Sequence, residues 1–468
     1  MGVNMEINSF KNYESGIHLY INIANLNYLV KKDETDNDMN HVFHLLNTFL
    51  VTIQRFICDE FGDEVFFEKL TGSRIHYILK GPSKTKGYAF IKICRFVILI
   101  SKEILKIGKY NSFSSLPVQI GADIGDYVDF KFCDYSTKYE EYTSIGFPAN
   151  YACKLQAIAS PGEIVVSEKL CKFLKMLGYN GLTKVDFERS SSLKEKYNNV
   201  GDPYLLDFRD DMFSFFESQN AQFKMFKERT ISHYVDYARN VANRVNLSEM
   251  EHRNPRDISR FQDFTLSNNA FFDGTVVFAD VRDFTKKFAS NGYNLTNMSS
   301  ITKSILSTMY NRCNCEKGIH VQFQGDREFV IFDEGLEDAA IIFALKLSDE
   351  ITKIADGIHI GIGGNFGDLY AASIGINKED LDIKKQPSIL GKTIIEANKL
   401  EDQEAGCDEI VVSDTLYQKI KDANVKALFS KRKSYWVTSK KYSNFIELGR
   451  KIDEDNNYKK EVYNPWCI

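Results

Sequence analysis

The chain has 468 residues and a formal charge of −5, from 59 basic and 64 acidic side chains; 43% of its residues are hydrophobic. That supplies core for two or three domains. The acidic balance excludes a nucleic-acid binder that works by bulk electrostatics, which would carry a basic excess.

In chain order, residues 1–12 lack a basic-then-apolar leader, and Glu6 stands where a myristoylation motif wants Ser or Thr. No run reaches the ~20 apolar residues of a membrane span. Residues 91–107 come nearest, but Lys92, Arg95, Lys102, Glu103 and Lys106 break them up, so they predict an amphipathic helix. The Lys- and Ser-containing stretches 188–198 and 430–441 read as surface loops. Residues 212–270 carry apolar positions at helical spacing (Phe223, Phe226, Ile231, Tyr234, Tyr237, Val241, Val245) and predict a helical linker. Beyond it come a strand at 275–278, a helix at 294–314, a hairpin at 319–332 turning at Gly325-Asp326, a helix at 336–354, a strand at 359–362, and a helix at 393–401 entered after Gly391. Nine scattered cysteines form no zinc or disulfide pattern, since Cys313-x-Cys315 has no second pair. A reduced, soluble, cytoplasmic protein without a nucleic-acid or membrane partner is expected.

The chain also repeats itself. Leu19-Tyr-Ile-Asn22-Ile-Ala-Asn-Leu26 parallels Val277-Phe-Ala-Asp280-Val-Arg-Asp-Phe284, and Glu68-Lys-Leu-Thr-Gly-Ser73-Arg74 parallels Val321-Gln-Phe-Gln-Gly-Asp326-Arg327. Gln119-Ile-Gly-Ala-Asp-Ile-Gly-Asp126 returns with insertion as residues 359–368, and Glu163-Ile-Val-Val-Ser167 as Glu409-Ile-Val-Val-Ser413. Four matches in one order mean one domain written twice. The expected fold is therefore an α/β sandwich (α+β, mixed sheet) in two copies: residues 1–211, a linker at 212–270, and residues 271–468.

The second copy ends a strand at Asp280 and presents Asp326 at a hairpin turn. A lone Asp after a strand usually serves as a turn or helix cap. Two carboxylates on neighbouring strand ends can instead share divalent cations, which prefer oxygen ligands. A helix start after Asp280 offers backbone N–H groups to phosphate oxygens. Two cations facing an anion cradle suit in-line attack on phosphorus.

Here the sequence resembles the class III nucleotidyl cyclases, which convert a nucleoside triphosphate to its 3′,5′-cyclic monophosphate and pyrophosphate. Phe278-Ala-Asp280-Val-Arg-Asp-Phe-Thr285 resembles that family's first metal motif, and Gly325-Asp326 its second. Gly146-x-x-x-Asn150-x-x-x-Lys154-Leu155 resembles its ribose and transition-state motif, and Pro161-Gly-Glu-Ile-Val-Val-Ser167 the segment that follows. The resemblance implies a site shared between two domains. Asp280 and Asp326, with the Val281 carbonyl, would bind two Mg²⁺ or Mn²⁺ ions. Asn150 would orient the ribose, and Lys154 would stand where the family has Arg, without Arg's planar fork. Phe284, Thr285, Arg327 and Lys384 are the phosphate-binding candidates. The copies have decayed in complementary ways. Copy one has Asn22 and Ser73 at the metal positions; copy two has Ile395 and Lys399 at the Asn and Arg positions. One composite site remains, in an intramolecular pseudo-heterodimer, as a monomer or a higher oligomer. The opposite pseudo-site would include Gln322 and Ser388.

The resemblance puts Lys69 and Thr143 at the base-reading positions. An ammonium only donates and a hydroxyl can accept, which suits adenine or cytosine better than guanine or uracil. Phe323-Gln-Gly-Asp-Arg327 further resembles the bacterial Pycsar pyrimidine cyclases, antiviral enzymes whose cyclic CMP or cyclic UMP reaches a separate effector by diffusion. Together these favour CTP as substrate, with uridylate or adenylate cyclase as alternatives. A nucleotide-binding sensor or scaffold without turnover is the alternative of another class. Gly325-Asp-Arg-Glu-Phe329 only superficially resembles the turn of diguanylate cyclases, since it lacks the second glycine.

Overall fold

In the computed structural model the described residues are 5–7, 11–24, 36–110, 115–134, 139–197, 200–207, 216–218, 228–246, 250–253, 264–284, 295–375 and 386–446, together with 26, 113 and 209. Copy one runs β1 (Met5–Ile7), β2 (Lys11–Ile23), α1 (Asp36–Phe61), β3 (Val65–Thr71), β4 (Arg74–Leu79), α2 (Ser83–Glu103), β5 (Val118–Asp134), β6 (Tyr139–Ile145), α3 (Phe147–Ile158), β7 (Ile164–Val166), α4 (Glu168–Met176), β8 (Leu182–Lys184), α5 (Phe187–Lys196) and β9 (Tyr204–Leu206). Then come α6 (Glu228–Arg244) and β10 (Glu251–Arg253). Copy two follows as β11 (Asn268–Val281), α7 (Leu295–Cys315), β12 (Ile319–Gln324), β13 (Arg327–Asp333), α8 (Glu337–Ile351), β14 (Ile360–Ile374), β15 (Gln386–Leu390), α9 (Lys392–Lys399), β16 (Ile410–Ser413), α10 (Asp414–Lys419), α11 (Ala423–Ala427), β17 (Ser430–Arg432) and β18 (Tyr435–Thr438).

The two sheets have one topology. Strand order is β3-β4-β2-β5-β7-β9-β8 in the first and β12-β13-β11-β14-β16-β18-β17 in the second. In each, one parallel pairing (β5 with β7, β14 with β16) sits in an otherwise antiparallel path. The chain is thus two mixed-sheet α/β domains in tandem, as the repeat implied.

β11 and β14 run well past the predicted strands at 275–278 and 359–362. Gly361, Gly363, Gly364 and Gly367 interrupt the apolar pattern of β14, which hid its length. At Gly363 a Cβ would strike the Ala397 carbonyl and the Glu401 amide; Gly121 meets Ala152 and Gln156 in the same way. Those glycines let α9 and α3 lie close on their sheets.

The two stretches read as loops are ordered elements. Residues 188–198 fall largely in α5, held by buried Ser190, Leu193 and Tyr197. Residues 430–441 form the β17–β18 hairpin, where Tyr435, Val437 and Thr438 alternate inward. β8 and β9 are the counterpart of that hairpin, with α5 inserted between them.

The far halves of β5 and β14 extend past the sheets as arms, backed by β6 and β15. Each arm packs into the other copy. Val128, Phe130, Phe132 and Ile145 join the core of copy two, where Phe132 meets Phe323 with ring centroids 4.8 Å apart. Tyr370, Ala372, Ile374 and Leu390 join the core of copy one. This reciprocal exchange fixes the copies face to face. Within residues 212–270, α6 packs Tyr234 edge-on against Phe56 and Phe96, and Lys109 donates to the Ala242 and Val245 carbonyls at its C-terminal end. Phe223 and Phe226 lie outside the described residues. Among the described residues no helix is long and apolar enough to cross a membrane.

Candidate active site

β11 pairs with β13 so that Asp280 stands opposite Arg327, with Asp326 one residue away in the hairpin turn. Gly325 makes that turn possible at φ +75, a region side chains avoid. A Cβ there would sit 3.4 Å from Asn150 Oδ1, so α3 of copy one reaches the aspartate hairpin of copy two. α3 can enter this way because Gly146 approaches the Asp126 carbonyl too closely for a side chain, and Pro148 starts the helix.

The residues meet in a cavity of about 170 Å³ between the copies. From copy two it is lined by Asp280, Val281, Phe284, Asp326 and Arg327; from copy one, by Lys69, Asn150 and Lys154. Thr285 and Lys384 lie outside the described residues. Thr143 is buried, and its hydroxyl has no hydrogen-bond partner; it pairs across the sheet with Phe130 and is not part of the cavity wall. A second cavity, about 240 Å³ and lined by Asn365, Asp368, Tyr370, Lys392 and Glu396, holds none of the candidate residues.

Electrostatics mark the aspartate pair. Burial, then the neighbouring Asp280, hold the Asp326 carboxyl well above the usual carboxylate range, and Lys154 offsets this only in part. A buried carboxyl next to a second carboxylate, the partly exposed Asp280, is suited to a cation. Among the described residues no group of three or more His, Cys, Asp or Glu side chains is placed to hold a metal ion. Burial opposes the charge of Lys154, but Cys153, Tyr197, Asp402 and Asp280 outweigh it and raise its pKa.

Glu401 was not singled out in the sequence. It is 1% exposed and ion-paired with Arg282 and Arg327, each at 2.7 Å. Burial, then Asp280 and Asp402, lift its pKa to about 7 against the pull of both arginines. Arg282 fills the space that Gly361 leaves open, and Arg327 lies 4.1 Å over the Phe278 ring. A helical turn of wider pitch, Leu400–Glu404, carries Glu401 to this position.

The equivalent corner of copy one is built from neutral groups. Ser73 donates to Asn22 (2.6 Å), Asn22 donates to Gln119 (2.9 Å), and Gln156 donates to the same Gln119 oxygen (3.2 Å). Gln156 meets Gly121 as Glu401 meets Gly363, so the two are repeat-equivalent. Arg74, the counterpart of Arg327, turns instead to the Cys153 sulfur at 3.2 Å.

No family model matches the sequence, and no curated protein matches it. Solved structures do match the fold, which is that of class III nucleotidyl cyclases, present twice in tandem. A class III adenylyl cyclase-like ATP-binding protein from Pseudomonas aeruginosa superposes with a TM-score of 0.73 at 15% identity, over 94% of this chain and 91% of that one. The adenylyl cyclase CyaB from the same organism matches 36% of this chain and 93% of its own at 17% identity, with a TM-score of 0.31. The guanylate cyclase domain of RhGC from Catenaria anguillulae matches 36% of this chain and 98% of its own at 22% identity, also with a TM-score of 0.31.

Proposed function

We propose that the chain is a nucleotidyl cyclase with one active site, formed by Asp280 and Asp326 of residues 271–468 facing Lys69, Asn150 and Lys154 of residues 1–211. The observation that carries this reading is the charge asymmetry between the two corners. The buried Asp326, beside the partly exposed Asp280, lines a cavity on one side, and a neutral hydrogen-bonded network stands in their place on the other.

Divalent cations held by Asp280, Asp326 and the Val281 carbonyl would supply Lewis-acid stabilisation of the reacting oxygens. Asn150 orients the ribose so that its 3′ oxygen faces the α-phosphorus. As the 3′ O–P bond forms, the hydroxyl proton passes to water and the bond to pyrophosphate breaks. Lys154 neutralises charge that develops on the phosphoryl oxygens. Arg327, braced by Glu401, stands at the triphosphate end.

A one-ring base is favoured by Tyr20, stacked on His76 at 4.0 Å in the cavity wall. With Lys69 donating, cytosine fits best, and CTP is the proposed substrate. The product would be a diffusible cyclic CMP signal to a separate effector, as in Pycsar defence. Nucleotide binding without turnover is the second reading. It is favoured by lysine at the Arg position of both copies and by the ATP-binding description of the Pseudomonas structure.

The test is incubation with each nucleoside triphosphate in Mn²⁺ or Mg²⁺. Cyclic CMP supports the reading in full. Cyclic AMP alone sinks the base assignment, and no cyclic product from any of the four ends the enzyme reading.

A further inference from the structure

A charged cluster spanning both copies surrounds Lys69 at the cavity wall, and its other members have no role assigned above. Glu141 of β6 directs one carboxylate oxygen to two donors, Lys69 Nζ (3.0 Å) and the Phe323 N–H (2.7 Å). Lys69 also donates to the Phe323 carbonyl at 2.6 Å. Copy one thus grips both backbone polar groups of Phe323 in β12, three residues before Asp326. The second Glu141 oxygen faces His320 Nε2 at 3.0 Å, and His320 Nδ1 faces Glu328 at 2.9 Å. Lys69, Glu141, His320 and Glu328 are all less than 9% exposed. A ring with a carboxylate on each nitrogen donates from both, so it is an imidazolium. Its pKa is pushed up to about 9, the two glutamates outweighing the opposite effect of burial. Behind Lys69, Glu68 accepts from the Ser144 amide and hydroxyl and pairs with His76.

A lysine on a free four-carbon stem would swing to suit any base. Here two of the three ammonium donors are committed, and Glu68 lies 3.8 Å from the same ammonium, so the direction of the remaining donor is set by the cluster. We propose that Glu141 and His320 are positioning residues that fix the free donor of Lys69, so that the site accepts a base with a ring-nitrogen acceptor and rejects one with a ring N–H. The same contacts tie base recognition to the hairpin carrying Asp326. The inference rests on the composite site proposed above and deepens it.

The test uses the full chain and the variants Glu141→Gln and Glu141→Asp, with kcat and KM measured for CTP and UTP. Glu141→Gln lowers the CTP-to-UTP ratio of kcat/KM by about tenfold or more, mainly through KM, and Glu141→Asp restores part of it. His320→Asn, which leaves Lys69 and Glu141 in place, gives a smaller shift in the same direction and covers the case in which Glu141→Gln does not fold. A ratio unchanged in both folded variants, even with a lowered Tm, overturns the proposal. If the wild type makes no cyclic product, the enzyme reading fails by itself. The proposal is then judged by calorimetric dissociation constants for CTP and UTP with Mn²⁺, where the same loss of preference upholds it and an unchanged preference refutes it.

Discussion

Replacing Asp326 by Asn removes a carboxylate that the fold leaves 8% exposed beside Asp280. Without bound cations the two like charges destabilise the hairpin, with Lys154 as partial relief. An amide of the same shape keeps the turn and drops the repulsion. Relief of poorly compensated buried charge is worth about 1–4 kcal/mol, and Lys154 places this case in the lower half. For domains of this size each kcal/mol moves Tm by about 2–4 °C. The expected result in EDTA is therefore a variant that melts several degrees above wild type. In Mn²⁺ the order reverses: a bound ligand at 100 times its Kd stabilises by about 2.7 kcal/mol, which wild type gains and Asp326→Asn loses together with turnover. Asp280→Ala also abolishes activity. Ser73→Ala forfeits one hydrogen bond, about 0.5–1.5 kcal/mol, and, like Asn22→Ala, leaves activity and the Mn²⁺ response largely intact. Differential scanning calorimetry in EDTA and in MnCl₂, with a cyclisation assay, measures all of these. The one-site reasoning fails if Asp326→Asn keeps the Mn²⁺ stabilisation, or if Ser73→Ala loses it.

Lys154→Ala should cost about 10²–10³ in kcat, as expected for one lost transition-state donor, while Lys154→Arg retains most of the rate; equal losses in the two would show that charge at this position is not what matters. His320 gives a pH-dependent stability. Its folded pKa of about 9 lies above the unfolded value of 6.5, so its contribution, on the order of 3 kcal/mol, is fully present below about pH 6.5 and is lost as pH rises through about 9. Urea unfolding of wild type and His320→Asn should show a stability gap that narrows between pH 6.5 and pH 10, and a constant gap would count against the imidazolium.

The repeat, the domain type and the two aspartates were legible because each left a local pattern: an apolar run closing on Asp280, a glycine turn before Asp326, a Gly-x-x-x-Asn helix entry. Other features left none. β14 was underestimated because its glycines serve packing against α9, a tertiary reason invisible in strand periodicity. α5 was read as a loop since its serines look solvated, although Ser190 is 1% exposed. Glu401 and Glu141 were missed because their roles depend on partners 119 and 182 positions away, Arg282 and Phe323. For Glu401 a signal was available: the repeat aligns it with Gln156, so a charge differs between copies at the place where the metal positions also differ.

That coincidence bears on how the two corners can differ in charge within one fold. A buried carboxylate is tolerable only beside a cation or a set of donors. With Asn22 and Ser73 in place, a glutamate at position 156 would have no arginine from a residue like Arg282. Instead Asn22, Ser73, Gln119 and Gln156 are all neutral, and a chain of hydrogen bonds ending on the Ala159 carbonyl links them. Gln119 stands where copy two has Gly361, and its side chain occupies the volume that Arg282 takes there. The four positions therefore form one network, and aspartates at 22 and 73 alone would place two charges in a half-buried corner without the Arg282–Glu401–Arg327 bracing. The two corners thus differ in charge as sets of residues and not at single positions.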